Sequence, residues 1–222
     1  LSLKDRQVFF LTNKGADEEI TVDPSKLAET KEEGFDISKV HNDCGKMIYD
    51  IETMKRLGFN MFRKHIKVEL DRWYYHCDRL GMLVWQDMVS GGEYIGTMLA
   101  GVAPFFGINV KDDKYKAFKR GEKKWRDEFK RELNEMLNQL YNHTCISVWV
   151  PFNEGWGQFD SVQIATSVKN FDPSRLVDHA SGWHDQGIGK TTMLSLHTYY
   201  TPLVVPKDER TVVLSEFGGY SQ

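Results

Sequence analysis

The feature that most constrains this chain is an alternation. Segments with apolar residues at helical spacing are followed, after a glycine or a short turn, by short runs that are apolar throughout. Residues 47–57 place Met47, Ile48, Ile51, Met54 and Leu57 on one helical face. Gly58 is a helix stop, and 58–63 reads as a strand. The pattern recurs with a helix over 68–80, a stop at Gly81 and the strand Met82-Leu83-Val84-Trp85. A longer helix over 122–141 precedes a strand over 145–152, and a helix over 161–170 precedes a strand over 175–178. Residues 193–196 and 211–214 are two more apolar strands. Strands alternating with helices predict a parallel α/β sheet. Strands without polar alternation predict that both faces of the sheet are covered.

Polar residues gather where these strands end: Arg63 and His65, Gln86 and Asp87, Asn153 and Glu154, His179, His197 and Tyr199, and Glu216. Such crowding marks a site at the C-terminal mouth of a parallel sheet. Neither G-x-G-x-x-G nor G-x-x-x-x-G-K-[ST] follows any of the strands, which argues for a (β/α)8 barrel over a doubly wound nucleotide-binding sheet. Residues 1–40 read as an irregular N-terminal segment, with strands conceivable at 7–11 and 34–40. Residues 41–222 read as a partial catalytic barrel. The Gly-, Phe- and Pro-rich stretch 90–110 reads as a long loop at the barrel rim.

Composition matters here mainly for what it excludes. The formal net charge is −3 and the basic residues between Lys111 and Arg131 are interleaved with acidic ones, so nucleic acid is not an expected partner. There is no apolar stretch of membrane-spanning length and no signal peptide at the start of the sequence, which leaves the compartment open. The three cysteines have no zinc spacing, and Cys145 lies in an apolar run where a buried thiol is expected.

Two apolar strands each deliver a glutamate at their end, in Trp149-Val150-Pro151-Phe152-Asn153-Glu154-Gly155-Trp156 and in Val212-Val213-Leu214-Ser215-Glu216-Phe217-Gly218. Each alone reads equally well as a helix cap or half of an ion pair. Together, on different strands of one sheet, they are what glycoside hydrolysis requires: one carboxyl to protonate the leaving oxygen and another to attack the anomeric carbon.

These segments resemble glycoside hydrolase family 2, the β-galactosidase, β-glucuronidase and β-mannosidase family of clan A. Asn153-Glu154 is similar to the pair that ends barrel strand 4, and Ser215-Glu216-Phe217-Gly218 to the end of strand 7. Gly58-Phe59-Asn60-Met61-Phe62-Arg63-Lys64-His65 resembles strand 2, Val84-Trp85-Gln86-Asp87 strand 3, and Leu196-His197-Thr198-Tyr199-Tyr200 strand 6. The resemblance spans about residues 47–222 and implies a retaining, exo-acting β-glycosidase. It implies Glu154 as acid/base, with a raised pKa, and Glu216 as an ionised nucleophile stabilised by Arg63 and hydrogen-bonded by Tyr199. It implies that Asn153 donates to the sugar 2-hydroxyl. Asp87, His65 and His197 are candidates for hydroxyl contacts, and Trp156 and Trp183 for stacking on a sugar ring. The mechanism calls for no cofactor, and no dedicated metal-ligand set is seen.

The chain departs from the family pattern at both ends. At 222 residues it is shorter than the ~250 of a full barrel, and no match for strand 8 follows Glu216. The usual opening of strand 1 and the β-sandwich domains that precede the barrel are also not found. An incomplete barrel is therefore expected, with low stability unless a partner chain or the N-terminal strand covers the gap, and a homo-oligomer or accessory β-sandwich domains are the expected protein partners. Two rival readings stand beside the glycosidase. A metal-dependent barrel hydrolase is disfavoured because the seven histidines include no His-x-His. An inactive barrel fragment that binds carbohydrate weakly or not at all is the stronger rival. Trp85-Gln86-Asp87 leans towards mannosidase-like members, and the sugar is otherwise not legible.

Overall fold

The computed structural model describes residues 37–199 and 202–218, and side chains within this range except those of 37–44 and 105. The chain divides into two compact units, Leu1–Tyr49 and Asp50–Gln222. Of the first unit, the described residues are the opening turns of helix α1, Ile37–Arg56. The expected strand at 34–40 is therefore corrected: residues 37–40 are helical. That helix begins well before the apolar spacing from Met47 onward announces it. The candidate strand at 7–11 lies outside the described residues.

The second unit alternates as the sequence does. Strand β1, Met61–Lys64, leads to α2, Asp71–Leu80, and β2, Leu83–Asp87. The rim excursion follows, holding a π-helical turn, Met98–Val102, and the short α3, Ala103–Phe105. Then come α4, Lys123–Leu140, β3, Ile146–Val150, α5, Ser161–Phe171, β4, Leu176–Val177, β5, Met193–Tyr199, and β6, Thr211–Gly218. Among the described residues β1-β2-β3-β4 form one sheet and β5-β6 another, and every pairing is parallel.

The helices follow from local rules. Gly81 takes a left-handed conformation after α2, and Met82 N–H reaches back to the Cys77 carbonyl at 3.0 Å. Buried Phe129, Leu133, Met136, Leu137 and Leu140 form the inner stripe of α4. No side chain of its own caps α5. Asp112, from the rim excursion, accepts from Ser161 N–H at 2.9 Å instead.

The strands share one interior. Trp85 of β2, Val148 and Val150 of β3 and Met193 of β5 form a buried cluster, with Met61 of β1 and Val213 of β6 packed against it. Side chains from both sheets thus fill a common core, as in the packed interior of a barrel. Each such side chain contributes roughly 1.5–3 kcal/mol by leaving water. Below β3, buried Asp172 accepts from Trp149 Nε1 at 2.9 Å and pairs with Arg175 at 2.6 Å. Arg175 in turn donates to the carbonyls of Ile146, Tyr141 and His143, which anchors the strand that carries Glu154.

Two irregularities set the mouth. The β5–β6 register slips between Leu196 and His197, so that His197 faces Glu216. Beyond β3, Asn153 bridges to Ser181, Ser181 N–H donates to Phe152 O at 2.9 Å and Glu154 N–H to Ser181 O at 2.9 Å. Among the described residues no helix is long and apolar enough to cross a membrane.

Candidate active site

Glu154 sits just past β3 in a left-handed backbone conformation, φ 50°, rare for a residue with a side chain. The Ser181 hydrogen bonds hold it there. Gly155 follows with φ 73°, and a Cβ there would lie 2.5 Å from the His184 ring, so glycine is required.

Glu154, His197 and Glu216 bring one donor atom each within 4.8 Å of one another. His197 Nδ1 lies 2.9 Å from Glu154 Oε1 and 3.1 Å from Glu216 Oε2. The first contact is an aligned hydrogen bond, whereas Glu216 Oε2 is a buried atom with no aligned donor among the described residues. The spacing is also one that a single cation could span, although a proton on Nδ1 satisfies the same geometry.

Arg63, at the end of β1, donates through Nε and Nη2 to both oxygens of Asp87, each at 3.0 Å. Its Nη2 also donates to Asn153 Oδ1 at 2.8 Å, and its Nη1 lies 3.6 Å from Glu216 Oε2. Burial alone lowers the Arg63 pKa, but the charge and hydrogen bonds of Asp87, with the charge of Glu216, raise it overall. The guanidinium is thus a fixed cation that ties β1, β2, β3 and β6 together at one point.

Several expectations change here. Asp87, expected to contact a sugar hydroxyl, is fully buried, with its oxygens engaged by Arg63 and by Ile66 N–H at 3.1 Å, so it supports the arginine. Glu154, expected to have a raised pKa, has a lowered one. Burial raises it, but the hydrogen bond and charge of His197 and the hydrogen bond of Tyr199 outweigh that. The Tyr199 hydroxyl, expected on Glu216, lies within reach of both glutamates and donates to Glu154 Oε1 at 3.0 Å. Burial and the charges of both glutamates raise the Tyr199 pKa.

The other expected residues lie around this centre. Asn153 is buried, with its Oδ1 taken by Arg63. His65 is half-exposed, 3.6 Å from Asp87. Trp183 stands edge-on to His197 with ring centroids 6.5 Å apart. Trp156 pairs with Tyr94 from the rim excursion at 5.5 Å. Tyr200 lies outside the described residues.

The sequence reading missed a layer beneath the site. Ser181 Oγ lies 3.0 Å from His197 Nε2 and 3.1 Å from Ser195 Oγ, and Ser195 is in short contact with Ser215. Asp178 is fully buried against these serines, and its carboxyl oxygens have no aligned donor among the described residues. Burial raises its pKa above the carboxylate range, against the pull of Ser195, His179, Arg63 and Ser181. One signal was available: Ser195, His197 and Tyr199 alternate along β5 and so share a face. His184 belongs to this missed layer as well. It accepts from Val110 N–H at 3.2 Å through Nδ1 and donates through Nε2 to Leu99 O at 2.9 Å, pinning the rim excursion.

Comparison with known proteins agrees with this architecture. The chain is 24% identical over 156 residues to a β-galactosidase of Halalkalibacterium halodurans, covering 70% of this chain and 14% of that protein. It is 27% identical over 139 residues to a β-galactosidase of Klebsiella pneumoniae, covering 63% and 12%. The chain thus spans about a seventh of the length of the curated relatives it matches. In fold it is similar to the β-glucuronidase of Parabacteroides merdae with glycerol in its active site, with a TM-score of 0.50 at 18% identity over 72% of this chain and 18% of that one. It is equally similar to a β-galacturonidase of Eisenbergiella tayi bound to galacturonate, with a TM-score of 0.50 at 18% identity over 70% and 25%. Residues 36–215 match the family model "Glycosyl hydrolases family 2, TIM barrel domain", a match that takes in Arg63, Glu154 and His197 and ends one residue before Glu216. The chain belongs to glycosyl hydrolase family 2, in its TIM-barrel domain.

Proposed function

We propose that this chain carries the catalytic centre of a retaining, exo-acting β-glycosidase that cleaves terminal β-linked sugars by double displacement. Glu216 is the nucleophile and Glu154 the acid/base. The observation that carries this reading is the approach of the two carboxylates, with one oxygen of each within 4.8 Å. Retaining enzymes hold the pair ~5–5.5 Å apart, whereas inverting enzymes need ~6.5–9.5 Å to admit a water.

The chemistry follows from the surroundings. Arg63 at 3.6 Å from Glu216 Oε2 favours the ionised form that attacks the anomeric carbon. Glu154 protonates the leaving oxygen and then takes a proton from the water that releases the sugar. Asn153, held by Arg63 through Oδ1, presents its amide to the sugar 2-hydroxyl. Trp183 and His65 flank the space as candidate sugar contacts. An aryl β-glycoside panel of galactoside, mannoside, glucuronide and glucoside identifies the sugar. Glu216→Gln is expected to abolish turnover. Glu154→Gln is expected to cost about 10²–10⁴-fold, most for poor leaving groups. Proton NMR should show the β-anomer as first product. Turnover surviving Glu216→Gln, or the α-anomer first, would overturn the assignment.

A further inference from the structure

His197 is tied from both sides of its ring. Its side chain is fully buried. Nδ1 faces only acceptors, Glu154 Oε1 at 2.9 Å, Glu216 Oε2 at 3.1 Å and the Tyr199 oxygen at 3.4 Å, whose own proton goes to Glu154. Nε2 faces Ser181 Oγ at 3.0 Å and Arg63 Nη1 at 3.4 Å. A guanidinium has donors and no acceptor, so a proton on Nε2 would point at another N–H. Ser215 donates to the Leu196 carbonyl at 3.2 Å and Ser195 can donate to Ser215, which leaves the Ser181 proton for Nε2. In that arrangement every hydroxyl donates once, and the single lone pair of Nε2 accepts from Ser181, with Arg63 Nη1 beside it.

The backbone confirms that the ring's place is built in. Gly182 has φ 87°, and a Cβ on it would lie 2.4 Å from His197 Nδ1 and 2.5 Å from Cγ. Only glycine lets the loop after β4 lie against the imidazole. The serines come from three places, Ser181 beyond β4, Ser195 on β5 and Ser215 on β6. They join across the line where β4 and β5 share no backbone pairing.

We propose that the buried cluster of Ser181, Ser195 and Ser215, with Arg63, fixes His197 as the neutral Nδ1–H tautomer, so that it presents a single proton donor to the Glu154–Glu216 pair. His197 is a catalytic residue in this scheme, and Ser181 is a positioning residue that acts through it. The tautomer assignment stands on its own geometry. What the tautomer serves rests on the reading of the two glutamates as the catalytic pair. One donor shared between two acceptors lets the proton favour whichever carboxylate carries more charge, without adding a second positive charge beside Arg63.

The test is nitrogen-15 NMR of the full chain labelled at histidine, with the His197 signals assigned by their loss in His197→Gln. The expected result is a protonated Nδ1 and an unprotonated Nε2 near neutral pH. Ser181→Ala should mix the tautomers and lower kcat on the best aryl β-glycoside by about tenfold with KM little changed, as for the loss of one hydrogen bond. Ser181→Thr, which keeps the hydroxyl, should restore both. A proton on Nε2 in the unaltered chain, whether alone or in an imidazolium, would overturn the proposal even if Ser181→Ala fails to fold. A Ser181→Ala spectrum identical to that of the unaltered chain would also overturn it. An Nδ1–H tautomer in a chain that hydrolyses no glycoside would support the tautomer and remove the catalytic reading instead.

Discussion

Tyr199 and His197 both donate to Glu154, and this sets the pH behaviour expected of the site. In its proposed role as general acid Glu154 must be protonated to act, and donors to its carboxylate lower its pKa. The kcat/KM profile, which reports the free enzyme, is therefore expected to have its basic limb displaced towards acid. Tyr199→Phe removes one donor, so Glu154 should keep its proton to higher pH and the basic limb should move up; a limb that stays in place would separate Tyr199 from the acid. Asp178 presents the opposite case. Burial raises its pKa, so its contribution to stability is present below the unfolded value and lost as pH rises through the folded one. Asp178→Asn, which mimics the neutral acid, should gain stability over the parent as pH goes from 4 to 8. The gain should read as about 2–4 °C in Tm per kcal/mol, and an advantage confined to low pH would contradict this. At this scale the sequence revealed identities and not protonation states. Glu154 and Glu216 were legible because each ends an apolar strand, but the direction of the Glu154 shift depends on a tyrosine and a histidine from another strand.

The element whose placement rests most on one side chain is the rim excursion. His184 joins its Leu99 and Val110 to the loop after β4 and lies edge-on to Phe118 at 5.3 Å. Burial lowers the His184 pKa below its usual 6.5, so the clasp is intact at neutral pH and weakens as pH falls below that value. His184→Ala should raise amide exchange across residues 96–110 with little change in β2 and β3, and the unaltered chain should show the same pattern on acidification. Uniform exchange over the whole chain in the variant would mean that the residue supports the global fold and not this segment. The core elements needed no such help to be read. The helix after Glu122 and the strand after Cys145 were both placed from apolar spacing, because each carries its own pattern and its own stops. The start of α1 at Ile37 was missed because its first turns lack the apolar spacing seen from Met47 onward. The π-helical turn at Met98–Val102 was read as loop because it depends on glycines and on the His184 clasp.

Over the whole molecule, the described strands lie in two parallel sheets, and β1 and β6 each pair with one neighbour among the described residues. Exposed Leu203, Val204, Val205 and Phe217 lie between β5 and β6 or on β6 itself. Edges without a partner among the described residues, beside exposed apolar side chains, favour association. Sedimentation velocity is expected to show concentration-dependent self-association of this chain, reduced by Phe217→Lys; a monomer at all concentrations would refute this. The sequence by itself determined the alternation of elements, the parallel sheet and the strand ends that carry Arg63, Asn153, Glu154, His197 and Glu216, because apolar periodicity and helix stops act over a few residues. Tertiary structure alone decided that Asp87 lies behind Arg63, that Tyr199 serves Glu154, and that three serines and Gly182 set the place of one imidazole. Those outcomes depend on which side chains from distant strands meet in the low-dielectric mouth. There the partner of each buried polar group is fixed by register and by a bulge, and neither is written in any single segment.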